Sequence, residues 1–351
     1  MPETMTLAEI LTRLTREGEL YEKLPDQRLR CYACGHRCVI PEGRPGVCKV
    51  RFNAGGVLYV PAGYVGALQC DPVEKKPFFH ALPGSLALSF GMLGCDYKCS
   101  YCQNWQTSQA LRDPNAVSPP ELVSPEYLVG AAEHYDAPII ASTYNEPLIT
   151  SEWAIEVFRL AKQKGLKTAY ISNGNGTPQV IEYLKPWVDL YKVDLKGFND
   201  LNYRKLGGLL QNVLDTIRLL VEKRFWVEIV TLVVPGLNDS DAELTQIVEF
   251  LASVSLDLPW HVTAFHQDYK MRDRANTAAS SLLRAAEIGK RAGLRYVYAG
   301  NLPGRVGKYE NTYCPSCQAL LIERVGYTIL QNTLEDGACP ACRILIPGVW
   351  Q

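Results

Sequence analysis

The residues best suited to chemistry are Cys95, Cys99 and Cys102, whose C-x3-C-x2-C spacing lets one short loop present three thiolates together. Zinc and ordinary iron–sulfur clusters take four protein ligands, so a three-thiolate loop suits a four-iron four-sulfur (4Fe-4S) cluster with one iron open to another molecule. Gly91 and Gly94 flank the loop and allow the chain to turn tightly around such a group. Two competing readings are buried small hydrophobes and a zinc site shared with a distant cysteine. Buried fillers have no reason to cluster at this spacing in a polar loop.

Two further cysteine groups flank this loop along the chain. Cys31, Cys34, Cys38 and Cys48 lie in one loop-rich knuckle, where four thiolates suit either a closed zinc tetrahedron or an auxiliary iron–sulfur cluster, with zinc preferred. His36 could replace a thiolate there, although a solvated loop histidine is the commoner case. Cys314-Pro-Ser-Cys317 and Cys339-Pro-Ala-Cys342 form two C-x2-C pairs of zinc-ribbon type, with strands expected within Tyr327 to Leu334 and a rubredoxin-like iron as runner-up. Cys70 stands alone and reads as a buried filler.

The elements that must position these groups follow from apolar periodicity. Apolar runs at Leu86–Phe90, Pro138–Ser142, Lys167–Ser172, Val188–Asp194, Trp226–Val234 and Trp260–Phe265 alternate with helical stretches near 125–135, 151–164, 178–186, 210–223, 240–254 and 280–291. Runs apolar on both faces imply a parallel sheet covered by helices, and right-handed crossovers curl it toward an incomplete barrel. A further strand at Arg295–Ala299 extends it. Upstream, Thr6 caps a short amphipathic helix through Leu7, Ile10, Leu11 and Leu14, and Val57–Val60 with Tyr64–Leu68 reads as a hairpin. Asp71–His80 reads as a site entrance or a surface loop. The expected division is an N-terminal region over 1–84, a main α/β body over 85–308 and a C-terminal zinc-ribbon-like module over 309–351.

In a parallel α/β fold reactive groups gather at the C-terminal ends of strands. Those ends are polar here: Ser142-Thr-Tyr-Asn-Glu-Pro147, Ser172-Asn-Gly-Asn-Gly176, Asp194-Leu-Lys196, Val234-Pro-Gly-Leu-Asn-Asp239 and Thr263-Ala-Phe-His266. Asn145 and Glu146 suit an ammonium group. Asp194 and Lys196, two apart, share one face of an extended strand.

Composition narrows the class. A chain of 351 residues with 47% hydrophobic and 21% charged residues has ample core, and its formal net charge of −1 gives no electrostatic footprint for nucleic acid or an anionic membrane. Twelve cysteines without a signal-peptide pattern in the opening Met-Pro-Glu-Thr-Met-Thr-Leu point to metal ligands in a reducing cytoplasm.

The Cys95–Cys102 spacing with Tyr101 before its last cysteine resembles the radical S-adenosylmethionine (SAM) enzymes, and Tyr144-Asn-Glu-Pro147 resembles their Gly-Gly-Glu-Pro motif. Asp194-x-Lys196, Val234-Pro-Gly236 and Phe265-His266 look like motifs of the pyruvate formate-lyase activating enzymes. Ile171 stands where those enzymes have an aspartate before the threonine matched by Ser172, a departure at their monovalent-cation site. Over nearly the whole chain, the knuckle, Asp71-Pro-Val-Glu-Lys-Lys-Pro77, the cluster loop and Ile346-Pro-Gly-Val-Trp350 resemble the radical SAM enzymes of the AmmeMemoRadiSam system, whose genes lie beside those for Memo-type proteins.

The resemblance implies a partial (β/α)6 radical SAM barrel. It implies a 4Fe-4S cluster on Cys95, Cys99 and Cys102, reduced by a ferredoxin or flavodoxin, and SAM held by Asn145, Glu146, Ser172, Asn173, Asp194, Lys196 and His266. Of these, Lys196 and His266 are the candidates nearest the substrate. That substrate is a glycyl-radical enzyme, another protein or a small molecule; the rival reading is a non-catalytic iron–sulfur electron carrier, which keeps the cluster but needs no SAM-shaped rim. Memo-type proteins are candidate partners, whereas membranes and nucleic acids are not expected ones.

Overall fold

The computed structural model describes residues 5–351, so Met1–Thr4, where the leader reading and the expected N-terminal region begin, lie outside it. Its centre is one eight-stranded sheet: β1 (Ala67–Pro72), β2 (Leu86–Gly91), β3 (Ile139–Ser142), β4 (Lys167–Ser172), β5 (Leu190–Asp194), β6 (Trp226–Val233), β7 (Trp260–Ala264) and β8 (Val297–Gly300). Spatial order follows chain order; β1 and β2 are antiparallel and every later pair is parallel. Helices return the chain between the parallel strands: α1 (Pro125–His134), α2 (Ser151–Gln163), α3 (Pro178–Leu184), α4 (Asp200–Leu206), α5 (Leu210–Glu222), α6 (Asp241–Val254) and α7 (Ala279–Arg291). Strict sequential order puts these right-handed crossovers on one face of the sheet.

Strand alternation then divides the side chains. Leu88, Phe90, Ile140, Tyr170, Tyr191, Ile229 and Val262 pack into the core shared with the helices. Their neighbours Ala87, Ile139, Ala141, Ala169 and Leu190 pack on the other face against Val73, Phe78 and Ala81. The Asp71–His80 segment therefore fills the sheet's inner face, with Val73, Glu74, Phe78 and His80 fully buried. Its aromatic end is anchored by the Glu228 carboxylate, which accepts from the backbone N–H groups of Phe79 (3.0 Å) and His80 (2.9 Å), from Trp226 Nε1 (3.0 Å) and from His261 Nε2 (2.7 Å). Four donors keep this buried carboxyl ionised despite the cost of burial.

The C-terminal module covers the β8 side. A three-stranded sheet of Thr312–Tyr313, Leu320–Val325 and Thr328–Asn332 carries Leu321 and Ile322 onto Phe79, Tyr296 and Tyr298. Val349 closes the chain by accepting from Leu82 N and donating to His80 O. The ribbon thus has three strands rather than a hairpin confined to Tyr327–Leu334.

At the N-terminal side, the opening helix spans Leu7–Arg13 with a Thr6–Glu9 capping box. Val57–Pro61 pairs with Thr15–Glu17 and Phe52–Ala54, whereas Tyr64–Val65 pairs with Glu121–Leu122. The expected hairpin between the two runs does not form, because Gly63, at φ +74°, turns the chain from one sheet to another. A buried ion pair ties this region to α2: Arg51 Nη1 and Nη2 contact Glu152 Oε2 and Oε1 at 2.6 and 2.7 Å. Cys70 lies half-buried on the edge strand β1 rather than inside the core.

Candidate active site

The cluster loop leaves β2 through Gly91 and turns at Gly94, and the two glycines serve different ends. Gly94 has φ +93°, the left-handed conformation that favours glycine. Gly91 instead permits close packing, since a Cβ there would lie 2.3 Å from the Thr143 carbonyl oxygen at the end of β3. The loop's shape is fixed by Lys98 N donating to Leu206 O (2.8 Å) and by the amide of Gln109 donating to Tyr97 O (3.1 Å). Outside it, Trp105 stacks on Tyr269 with ring centroids 5.1 Å apart.

Cys95 and Cys102 are half-buried as residues and Cys99 is buried. Burial pushes the Cys99 thiol up to about 12 and raises Cys95 and Cys102, with the Asp96 and Glu146 carboxylates adding to the rise at Cys95. Such thiols become thiolates at neutral pH only against a bound cation, the behaviour of metal ligands. Donors to sulfur are in place: Tyr97 N approaches Cys95 Sγ at 3.4 Å and Ser108 Oγ lies 3.2 Å from Cys102 Sγ. Three converging thiols with N–H and O–H donors fit the donor set of a three-thiolate iron–sulfur cluster.

A cavity of about 570 Å³ opens beside the loop, with Cys99, Tyr101 and Cys102 on one wall. The opposite walls are the C-terminal ends of β4 to β8, with Ile171, Lys192, Asp194, Lys196, Thr263 and His266, and the floor includes Lys76 and Phe79. Asp194 is gripped by Lys192 and by Lys196 Nζ (3.1 Å), and these two cations hold its carboxyl down at about 2 against the opposing effect of burial. Lys192, absent from the sequence-derived site, completes a Lys-x-Asp-x-Lys run on one strand face, a pattern already visible in the chain. His266 Nε2 meets Gln103 Nε2 at 3.0 Å on the exposed rim.

The other expected site residues form a separate network behind Cys95. Glu146 accepts from Ser172 Oγ (2.7 Å), Asn173 N (2.7 Å) and Leu148 N (3.1 Å), and Asn145 Oδ1 accepts from Met92 N (3.1 Å). Asp96 accepts from Asn173 Nδ2 (2.7 Å) and Asn175 Nδ2 (2.8 Å). Burial and the nearby Asp96 push the Glu146 carboxyl up to about 8. Ser172 does not line the cavity: it shares strand parity with Tyr170, which packs on the helix side, and Ile171 takes the cavity-facing position. Asn238, within the polar strand end Val234–Asp239, joins the ends of β5 and β6 by donating to Lys196 O (3.0 Å) and Leu232 O (2.8 Å). Tyr144 adopts φ +67°, strained for a bulky side chain, with its ring under Lys76 Nζ at 5.2 Å.

The two outer cysteine groups differ in geometry. Among the described residues, Cys314, Cys317, Cys339 and Cys342 alone form a group of three or more His, Cys, Asp or Glu ligand atoms within 4.8 Å of one another. Their Cys314–Cys342 and Cys317–Cys339 sulfur separations are 3.5 and 3.6 Å, close to the edge of a tetrahedron with metal–sulfur bonds of about 2.3 Å. The knuckle cysteines form no such group. Burial drives the Cys34 thiol far up, and the Asp96 carboxylate adds to the rise. His36 points elsewhere, its Nε2 at 3.2 Å from Asp96 O.

Comparison with known proteins agrees with this geometry. Residues 91–250 match the Radical SAM superfamily. An uncharacterized protein of Methanocaldococcus jannaschii is 38% identical over 331 residues, covering 93% of this chain and 97% of its own. The pyruvate formate-lyase-activating enzyme of Clostridium pasteurianum is 27% identical over 199 residues, 51% of this chain and 80% of that enzyme. Among solved structures, a radical SAM methyltransferase from Sphaerobacter thermophilus aligns with a TM-score of 0.49 at 16% identity, covering 68% of this chain and 71% of that one. No helix among the described residues is long and apolar enough to cross a membrane. The family match over residues 91–250 and the sequence relatives place the chain in the radical SAM superfamily, as a radical SAM enzyme homologous to the pyruvate formate-lyase-activating enzymes.

Proposed function

We propose that Cys95, Cys99 and Cys102 hold a 4Fe-4S cluster and that SAM binds against it in the adjoining cavity. The observation that carries this reading is the shared wall: two of the thiols open into a cavity whose other walls are polar strand ends. When bound, the cluster and SAM supply one-electron cleavage to methionine and a 5'-deoxyadenosyl radical that abstracts hydrogen from a substrate.

The chain's own residues bind, orient and shield. Asn145 and Glu146 lie outside the cavity lining, in the network behind Cys95, and would meet the methionine ammonium from there through the lone pairs left free by Met92 N, Leu148 N, Ser172 Oγ and Asn173 N, the last two holding the Glu146 carboxylate in position. Asp194, braced by Lys192 and Lys196, presents an anion toward ribose hydroxyls. Lys196 and His266 both line the cavity, and His266 stands on its exposed rim, where a substrate approaches. The singly wound sheet reads as a partial (β/α)6 barrel over 85–308, extended by β8 and, from outside those bounds, by the antiparallel edge strand β1, so that residues 67–80 belong with the barrel and not with the N-terminal region. The rest of residues 1–84 forms the N-terminal region and 309–351 a zinc-binding module.

The activating-enzyme homologues favour a protein substrate, such as a glycyl-radical enzyme, with a small molecule as the other possibility. A reduced ferredoxin or flavodoxin is the electron donor in this reading. Membership in the AmmeMemoRadiSam system, with a Memo-type partner, rests on the motif resemblance. The test is anaerobic reconstitution followed by SAM and a low-potential reductant. 5'-Deoxyadenosine should form in the wild type and vanish in Cys95→Ala, and formation that survives the substitution refutes the assignment.

A further inference from the structure

The cavity has two positive poles, and SAM binding as described above uses only one. Each pole sets two ammonium groups against a single carboxylate. On the strand-end wall Lys192 and Lys196 share Asp194. On the floor Lys75 and Lys76, which both line the cavity, share Asp71 at 2.8 and 2.9 Å. Two cations on one anion leave a positive charge uncompensated. The other carboxylates lining the cavity form no ion pair with either floor lysine. They are engaged by backbone N–H groups, Glu74 by Gly84 N (2.8 Å) and Glu310 by Gly304 N (3.0 Å) and Gly326 N (2.8 Å).

The floor pole is a built feature. Lys76 is only 5% exposed, although lysine is among the residues least often buried. The segment that carries it is stiff: Pro72 and Pro77 bracket a single 3-10 turn over Val73–Lys75, and Lys76 N donates to Val73 O at 2.9 Å. Tyr144 takes its left-handed φ of +67° and brings its Oη to 3.3 Å from Lys76 Nζ. Two neighbours accommodate that conformation. Thr107 Oγ1 donates to Tyr144 O at 2.9 Å, and Gly91 lacks a Cβ that would lie 2.7 Å from Tyr144 Cβ. Backbone strain held in place by its surroundings is characteristic of functional sites. Of the three N–H groups on the Lys76 ammonium, Asp71 and Tyr144 accept two, and nothing among the described residues accepts the third. Tyr144, itself accepting from Lys76, keeps its own O–H as a donor, and burial pushes that phenol up so that the proton stays.

From the surplus charge, the free donors and the strained tyrosine we infer that Lys76 and Tyr144 form an anion-binding end of the substrate site, and that the substrate places a carboxylate or phosphate group there. Lys75, half-exposed on the same carboxylate, supports the positive field of this end. The assignment of the anion to the substrate rests on the proposed function, since it supposes that SAM takes the other pole; the anion site itself does not. The stretch Asp71-Pro-Val-Glu-Lys-Lys-Pro77 thereby acquires a role in binding beside its role in filling the inner face.

Equilibrium dialysis of inorganic phosphate and of succinate against the reconstituted protein, with and without saturating SAM, tests the inference. With SAM present the wild type should bind about one of these anions per chain with a Kd of about 10 mM or tighter. Preference for phosphate or for succinate tells which group the substrate carries. Lys76→Met should weaken that binding about tenfold and Tyr144→Phe about threefold. Asp71→Asn/Lys76→Met, which strands no buried charge, should lose the binding as Lys76→Met does, and it decides the matter if the single variant does not fold. Absence of a bound anion in the wild type, or binding that the loss of Lys76 leaves unchanged, overturns the inference. Displacement of the anion by SAM also overturns it, while leaving the SAM reading intact. Conversely, Lys76-dependent anion binding in a protein that takes up no SAM supports the anion site and refutes the SAM reading.

Discussion

Protonating His80 should detach the C-terminal module from the sheet. Pro347 offers only a carbonyl to Nδ1 (2.7 Å), so Nδ1 carries the ring proton and Nε2 must accept, here from Tyr298 Oη at 2.6 Å. The direction then runs back through Thr312 Oγ1, 2.9 Å from Tyr298 Oη, to Arg324 Nη1, which donates to that threonine at 2.7 Å. A second ring proton would point into this chain of donors. Burial is the main reason that His80 is pulled down from 6.5 to about 4, with the Arg324 charge acting in the same direction.

An unfolded chain takes up the proton first as pH falls, so this contribution to stability is complete above pH 6.5 and lost on the way down to pH 4. The full span is about 3 kcal/mol, and about 2 kcal/mol is gone by pH 5. Urea unfolding at pH 7 and pH 5 should show that loss in the wild type and not in His80→Gln. Ring nitrogen NMR should show His80 neutral at pH 5. A ring that charges near pH 6.5, or an equal acid loss in the variant, refutes the reasoning.

Glu146, raised to about 8, must lose its proton to face an ammonium, so SAM affinity should climb as pH rises from 6.5 to 8 and flatten in Glu146→Gln, measured by equilibrium binding. Glu152→Ala strands the buried Arg51 guanidinium and should cost roughly 3–5 kcal/mol in urea unfolding. Arg51→Met/Glu152→Leu should recover most of that loss. Cys342→Ala should release about one zinc and speed hydrogen exchange in the Leu320–Val325 strand, leaving β3 to β5 protected.

The alternation of strand and helix was legible because strands buried on both faces read as short apolar runs bounded by turn residues, as at Pro138–Ser142 and Lys167–Ser172. The cysteine groups were legible because local spacing limits what a loop can ligate. Contacts between distant segments were not. Nothing near Glu228 announces that it will cap the backbone of Phe79 and His80, and the 71–80 segment gave no sign that it fills the inner face of the sheet. Ser172, expected among the SAM contacts, is turned by strand parity toward the helix side, where it donates to Glu146. The short helix α4 was missed because it forms in the β5 to α5 connection, where Asn199 caps it and Tyr203 holds the Lys196 backbone N–H.

The filling of the inner face by Val73, Phe78 and Ala81 has a kinetic consequence. With the N-terminal side of the strands packed solid, ligands reach the cluster wall and the strand-end wall through the same approach. The deeper ligand must arrive first and leave last. Turnover should therefore follow a compulsory order of addition, with the outer ligand slowing escape of the inner one from a preformed complex.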